Sequence, residues 1–207
     1  METGNCAIIL AGGKSERMQQ DKALLSLDGM TFLEHIVTSM LALTNDIIVV
    51  VDIENKYSLP YGRMVVDVFP DSGPVGGIIT GLMSAGQGTH YVVPCDMPAI
   101  NTNLLHVLYQ AAISPLDAVV AEIEGEAQPL CAVYRSTAMP KLLSYLESGK
   151  RSARGALATL HVRRIGEGVL RRLDPDLASF NNINTPEEFA LLQERALRRQ
   201  EKRISSK

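Results

Sequence analysis

Aliphatic runs recur along the chain at residues 7–10, 47–51, 64–66, 91–93 and 118–121. None of them alternates apolar with polar positions. Continuous apolar strands of this length have no wet face, which is the pattern of a parallel sheet covered by helices on both sides. Between the runs, residues 31–43, 75–85 and 101–112 have the spacing of amphipathic crossover helices. Thr31 with Glu34 makes a capping box for the first, and Asn101 or Thr102 can cap the third. The alternation of strand and helix predicts an α/β fold: a doubly wound, mostly parallel sheet with helices on both faces.

Beyond Gly125 the rhythm changes. Residues 129–134 read as one more strand, 139–146 as a helix and 152–160 as a short helix. Thr185-Pro186-Glu187-Glu188 then opens a final helix, with Thr185 as N-cap, Pro186 at its first position and Glu188 closing a capping box. Its end, 195–207, is dense in charge. No repeat, linker or low-complexity stretch divides the chain, so its 207 residues are expected to form one domain.

Composition narrows the picture. Hydrophobic residues make up 46% and charged residues 21%, too apolar for intrinsic disorder, and the absence of Trp with only 5% aromatics leaves an aliphatic core. A net charge of −3 argues against a surface built to grip nucleic acid. Yet residues 1–103 carry 5 Lys and Arg against 11 Asp and Glu, whereas residues 104–207 carry 15 against 12. Much of the difference lies between Arg135 and Arg172, where nine basic residues face only Glu147 and Glu167. Either these are solvated helix faces or they form a site for an anionic substrate. The 3 cysteines, Cys6, Cys95 and Cys131, lack CxxC spacing, which suggests neither a disulfide framework nor a structural zinc site. The run Cys6 to Ala11 has no basic leader and is too short for a secretion signal or a membrane span, so a cytoplasmic protein is expected.

The segment after the first strand is the most informative: Leu10-Ala-Gly-Gly-Lys-Ser-Glu-Arg-Met18, then Asp21-Lys22. Glycines at the carboxyl edge of a strand let backbone approach a ligand, and their N–H groups can cradle phosphate oxygens. Lys14, Arg17 and Lys22 add positive charge. Neither usual phosphate loop fits, because Ile8 stands where the Walker pattern needs its first Gly and no GxGxxG occurs. A second constellation, Pro94-Cys-Asp-Met-Pro98, follows the run ending at Val93. Asp96 there either ligates Mg²⁺ or braces a proline-rich turn; its residues alone leave both open. Asp67 and Asp71 belong to the same predicted edge, ahead of Gly73-Pro-Val-Gly-Gly77. His35, His90, His106 and His161 show no metal-ligand spacing, and Cys95 has no His near it in sequence to make a nucleophile. Asn181, Asn182 and Asn184 can read a polar substrate or hold the turn before the last helix, and Asn184-Thr185 favours the turn.

In order along the chain, Leu-Ala-Gly-Gly-x-Ser-x-Arg-Met with Asp21-Lys22, Gly73-Pro-Val-Gly-Gly77, Cys95-Asp-Met-Pro98, Gln128-Pro-Leu130 and Asn181-Asn-Ile-Asn-Thr-Pro186 resemble the molybdenum cofactor guanylyltransferases, the MobA family. The opening motif is shared with cytidylyl- and sugar-nucleotide transferases; the Asp-Met-Pro turn and the Asn-Ile-Asn-Thr-Pro segment narrow the likeness. The resemblance implies Mg²⁺-dependent transfer of GMP from GTP to the phosphate of molybdopterin, with or without molybdenum, releasing pyrophosphate. It implies that Leu10, Ala11, Gly12, Gly13, Lys22, Asp52, Asp67 and Asp96 contact the nucleotide. Asp96 would also hold the metal, and Lys22, Arg17 and Asp96 would carry catalysis. Residues 1–113 would bind nucleotide, 114–190 would bind the acceptor and 191–207 would form a charged helix and tail. Proteins that deliver the cofactor or mature molybdoenzymes are implied partners. The chain departs from the family at Gln19-Gln20, where Gly is common, and at Asp52, where Asn is common. A cytidylyltransferase and a non-catalytic nucleotide-binding or cofactor-carrier protein are the alternatives.

Overall fold

The computed structural model describes residues 4–12, 21–59 and 61–194. Its centre is a seven-stranded sheet in the order β5-β4-β1-β6-β8-β7-β9. The strands are β1 (Ala7–Leu10), β4 (Ile47–Val51), β5 (Arg63–Val66), β6 (Thr89–Pro94), β7 (Ala118–Ile123), β8 (Glu126–Arg135) and β9 (Val162–Gly166). All run in one direction except β8, which is antiparallel to both neighbours. A small antiparallel pair, β2 (Ser26–Leu27) with β3 (Met30–Thr31), stands apart.

Every residue of β4 is buried, as is most of β1, because each strand is covered on both faces. One face carries α1 (Phe32–Met40), α3 (Thr102–Gln110) and α6 (Glu167–Leu173), whose Leu33, Ile36, Leu104 and Leu170 pack with Ile9, Val49 and Val93. The other face carries α2 (Gly73–Ala85), α4 (Met139–Glu147) and the single turn α5 (Ala153–Ala156), which bring Val75, Ile78, Leu142 and Ala156 against Ile8, Val50 and Val92. The doubly wound α/β architecture read from the hydrophobic pattern is therefore present. α2 lies close on the sheet because it shows glycine to it: a Cβ at Gly77 would sit 3.2 Å from Leu10 Cδ2, and one at Gly81 would run into the Ile8 side chain. The capping predictions hold at Thr31, which accepts from Glu34 N while Glu34 accepts from Thr31 N, and at Asn101, which accepts from Asn103 N.

The elements β2, β3, β9 and α6 went unread in the sequence. The β2–β3 pair turns at Asp28 and Gly29, both at positive φ, the Asp-Gly signature of a two-residue hairpin. β9 with α6 occupies part of the basic stretch. The strand expected at 129–134 runs from 126 to 135 and reverses direction, since Glu124 and Gly125, again both at positive φ, leave room only for a hairpin after β7. Residues 186–194 are helical and form α7, whose Phe189 ring meets Phe32 edge-on at 5.7 Å.

Candidate active site

In a doubly wound sheet, ligands bind where parallel strands end at their carboxyl edge. Here the ladder continues just past that edge: Ala11 N donates to Val50 O at 2.9 Å, Cys95 N to Leu10 O at 3.0 Å and Asp67 N to Val51 O at 2.7 Å. These bonds put Ala11, Asp52, Asp67 and Asp96 on one rim. Leu10 and Gly12 flank Ala11 there, and a Cβ at Gly12 would be 3.6 Å from Asp52 N. Gly13, Lys14, Arg17 and Gln19-Gln20 lie outside the described residues.

Asp21 caps a single 3₁₀ turn, Lys22–Leu24, by accepting from Ala23 N at 3.0 Å. That turn aims Lys22 along the rim. Its Nζ donates to Asp96 Oδ2 at 3.3 Å and to Asn184 Oδ1 at 2.5 Å, with both charged side chains mostly buried at 17% and 18% exposure. Asp96 thus comes from the end of β6, Lys22 from the segment after β1 and Asn184 from the segment before α7. Ile183 N donates to Asp96 O at 3.1 Å and pins that last segment in place. Burial pushes the Asp96 carboxyl above its ordinary pKa, with Lys22 opposing the shift. Its second oxygen, Oδ1, is buried without a hydrogen-bond partner among the described residues. A buried acceptor left unpaired is costly. Hard divalent cations take such carboxylate oxygens, so Asp96 fits the metal role expected of it.

The other rim residues are held differently. Asp67 Oδ1 accepts from Thr80 Oγ1 at 2.7 Å and from Phe69 N at 3.0 Å, which braces the turn between β5 and α2. Asp52 is exposed and accepts from Lys56 Nζ at 2.7 Å. Desolvation raises its pKa, but the Lys56 bond and backbone N–H groups outweigh that and hold it below the ordinary carboxylate value. Lys56 also reaches Asp21 Oδ2 at 3.1 Å. Burial pushes the Cys95 thiol up to about 12, which disfavours the thiolate that a nucleophile needs.

Next to Asp96 the surface opens into a cavity of about 260 Å³, lined among others by Met97, Gln128, Leu130, Arg154 and Asn182. It exists because β8 is reversed: its first residues stand at the edge where the parallel strands end. Asn182 and Asn184, read in the sequence as turn residues, therefore belong to the site. Thr185 and Glu188 do form the cap, with Glu188 N to Thr185 Oγ1 at 3.2 Å and Thr185 N to Glu188 Oε2 at 3.0 Å, leaving the Asn184 side chain for Lys22. The basic stretch is spread over several elements. Lys141 pairs with Asp117, Arg154 with Glu126, Arg164 with Glu122 and Arg171 with Glu167, so much of it is solvated surface balanced by local acids. Arg154 alone among these lines the cavity.

Residues 7–165 match the model of the MobA-like NTP transferase domain. The chain belongs to that family. It is 34% identical to the molybdenum cofactor guanylyltransferase of Desulfosudis oleivorans over 88% of this chain and 91% of the relative, and 33% identical to the probable molybdenum cofactor guanylyltransferase of Bacillus mycoides over 91% and 96%. Molybdopterin-guanine dinucleotide biosynthesis protein A of Archaeoglobus fulgidus has the same fold, with a TM-score of 0.81 at 24% identity, covering 93% of this chain and 99% of that one. More distantly, 4-diphosphocytidyl-2C-methyl-D-erythritol synthase of Anaerococcus prevotii shares it at a TM-score of 0.66 and 15% identity, covering 93% and 95%. The resemblance read from the motifs is thus borne out, and the chain is a nucleotidyltransferase of this family. Among the described residues, no helix is long and apolar enough to cross a membrane.

Proposed function

We propose that this protein transfers GMP from GTP to the terminal phosphate of molybdopterin, or of its molybdenum-bearing form, releasing pyrophosphate in the cytoplasm. The observation that carries the reading is the Lys22–Asp96–Asn184 cluster, which stands between the glycine-bearing rim and the cavity beside Asp96. The rim, with Leu10, Ala11, Gly12, Asp52 and Asp67, takes the nucleotide, and Gly13 is assigned to it by the motif alone. The cavity, built mainly by residues beyond 114, takes the acceptor.

The chemistry asks little of an acid or base. A phosphate is already ionised at neutral pH and attacks the α-phosphorus directly, so the protein contributes alignment and neutralisation of charge. Lys22 supplies a cation at the junction of the two substrates, and the motif assigns a second to Arg17. Asp96 would hold Mg²⁺, which when bound neutralises charge on the triphosphate. Asn184 orients the Lys22 ammonium, and Asp67 shapes the turn into α2.

Pyrophosphate release from GTP, CTP, ATP and UTP with Mg²⁺, with and without freshly released molybdopterin, tests the reading. GTP turnover strictly dependent on molybdopterin is the expected result. Preference for CTP would keep the mechanism and change the product; binding of GTP without release under any condition would make the chain a nucleotide-binding carrier.

A further inference from the structure

Tyr57 is a buried phenol that the reaction described above does not use. It follows β4 in the segment that also carries Asp52 and Lys56, yet its hydroxyl reaches across to the neighbouring segment. The Oη atom lies 2.7 Å from Asp21 Oδ2 and 3.2 Å from the Ala11 carbonyl oxygen. Both are acceptors and the phenol has one proton, so the O–H is directed at the carboxylate and shared with the carbonyl. Ala11 follows β1 directly. Asp21 caps the turn that begins with Lys22. A single hydroxyl thus spans a residue of the rim, Ala11, and the residue whose cap starts the turn at Lys22. Lys56 reinforces the joint by bonding Asp21 and Asp52 together. Only 7% of Tyr57 is exposed, and burial beside Asp21 drives its ionisation far above the normal range, so the proton stays on the phenol.

We propose that Tyr57 is a positioning residue for nucleotidyl transfer: by clasping Ala11 and Asp21 it fixes where the Lys22 ammonium stands relative to the bound triphosphate. The inference rests on the guanylyltransferase reading. A ring that merely filled space would need no hydroxyl, and Phe would do as well.

The test is Tyr57→Phe, which keeps the ring and removes the clasp, measured in the full chain beside wild type, Lys22→Ala and the double variant. The melting temperature should fall by only a few degrees. Roughly ten-fold should be lost from kcat with KM for GTP nearly unchanged, the worth of one charge-assisted hydrogen bond. In the Lys22→Ala background the same change should cost less than about two-fold, since the two act through one group. An equal loss in both backgrounds, or none in either, would overturn the proposal. Competitive acetylation read by mass spectrometry keeps the inference separate from the activity assay: Tyr57→Phe should raise the reactivity of Lys22 and leave Lys141 unchanged. An unaltered Lys22 would refute the clasp. Wild type without molybdopterin-dependent turnover, but with that change in labelling, would count against the guanylyltransferase reading only.

Discussion

The backbone N–H of Ile183 donates to the carbonyl of Asp96 at 3.1 Å, joining the segment ahead of the last helix to the turn that follows β6. The next residue, Asn184, accepts from Lys22 Nζ at 2.5 Å. The last helix is held in turn by Ile183 packing with Leu25 and Phe32. The C-terminal part of the fold thus contributes directly to the cluster around Lys22.

Asn184→Ala removes an acceptor of the Lys22 ammonium. Its kcat should fall by about ten-fold, as expected for one lost hydrogen bond to a charged group. Asn184→Asp, which keeps an acceptor, should recover part of the loss. Steady-state kinetics with saturating GTP would show it, and equal activity of Asn184→Ala and wild type would remove Asn184 from the site.

Asp96→Asn keeps the shape of the side chain and removes its charge. We expect a loss on the order of 10²–10³ in turnover, the size seen when one electrostatic group is taken from a preorganised site. Circular dichroism should be unchanged. Full activity at low Mg²⁺ would show that the metal is held elsewhere.

Gly81→Ala should destabilise the protein without touching the rim. The added methyl meets the Ile8 side chain on the central strand, and overpacking of this kind costs about 1–3 kcal/mol. For a chain of this size that is a drop in melting temperature of roughly 2–10 °C. A rise in melting temperature would mean that α2 has room to shift.

His90 predicts an acid weakness. It is 1% exposed, its Nε2–H donates to Gly86 O at 3.2 Å, and its Nδ1 is buried without a partner among the described residues. Burial lowers its pKa below the ordinary 6.5, so the folded protein binds this proton less readily than the unfolded chain. The contribution is fully present above pH 6.5 and is lost progressively as pH falls below that value. Unfolding free energy measured at pH 7.5 and pH 5.5 should fall on acidification, and His90→Gln should flatten the difference.

Much of the fold is legible in the sequence because buried strands leave an unmistakable aliphatic trace. β1 and β4 are apolar throughout, and their strands end where the runs end. β9 is harder: it is an edge strand, with Arg163 and Arg164 exposed and only Ile165 buried, so its pattern is that of surface. The rim carboxylates are legible because each follows an apolar run directly. The role of Asn184 leaves no local trace, since its partner Lys22 is 162 positions away and a helix-capping explanation lies beside it in sequence. Tyr57 is hidden for the same reason: a lone aromatic after a strand looks like core until Asp21 is found across from it.

The reversed strand β8 has a further consequence. The rim is made of loops that leave parallel strands, whereas one wall of the cavity is the first half of the antiparallel strand, Gln128 to Cys131. Side chains there can be exchanged without shifting the register in which β1, β4 and β6 present the rim. The scaffold therefore lets the cavity wall vary while the rim stays fixed, through substitutions along one strand rather than a new sheet.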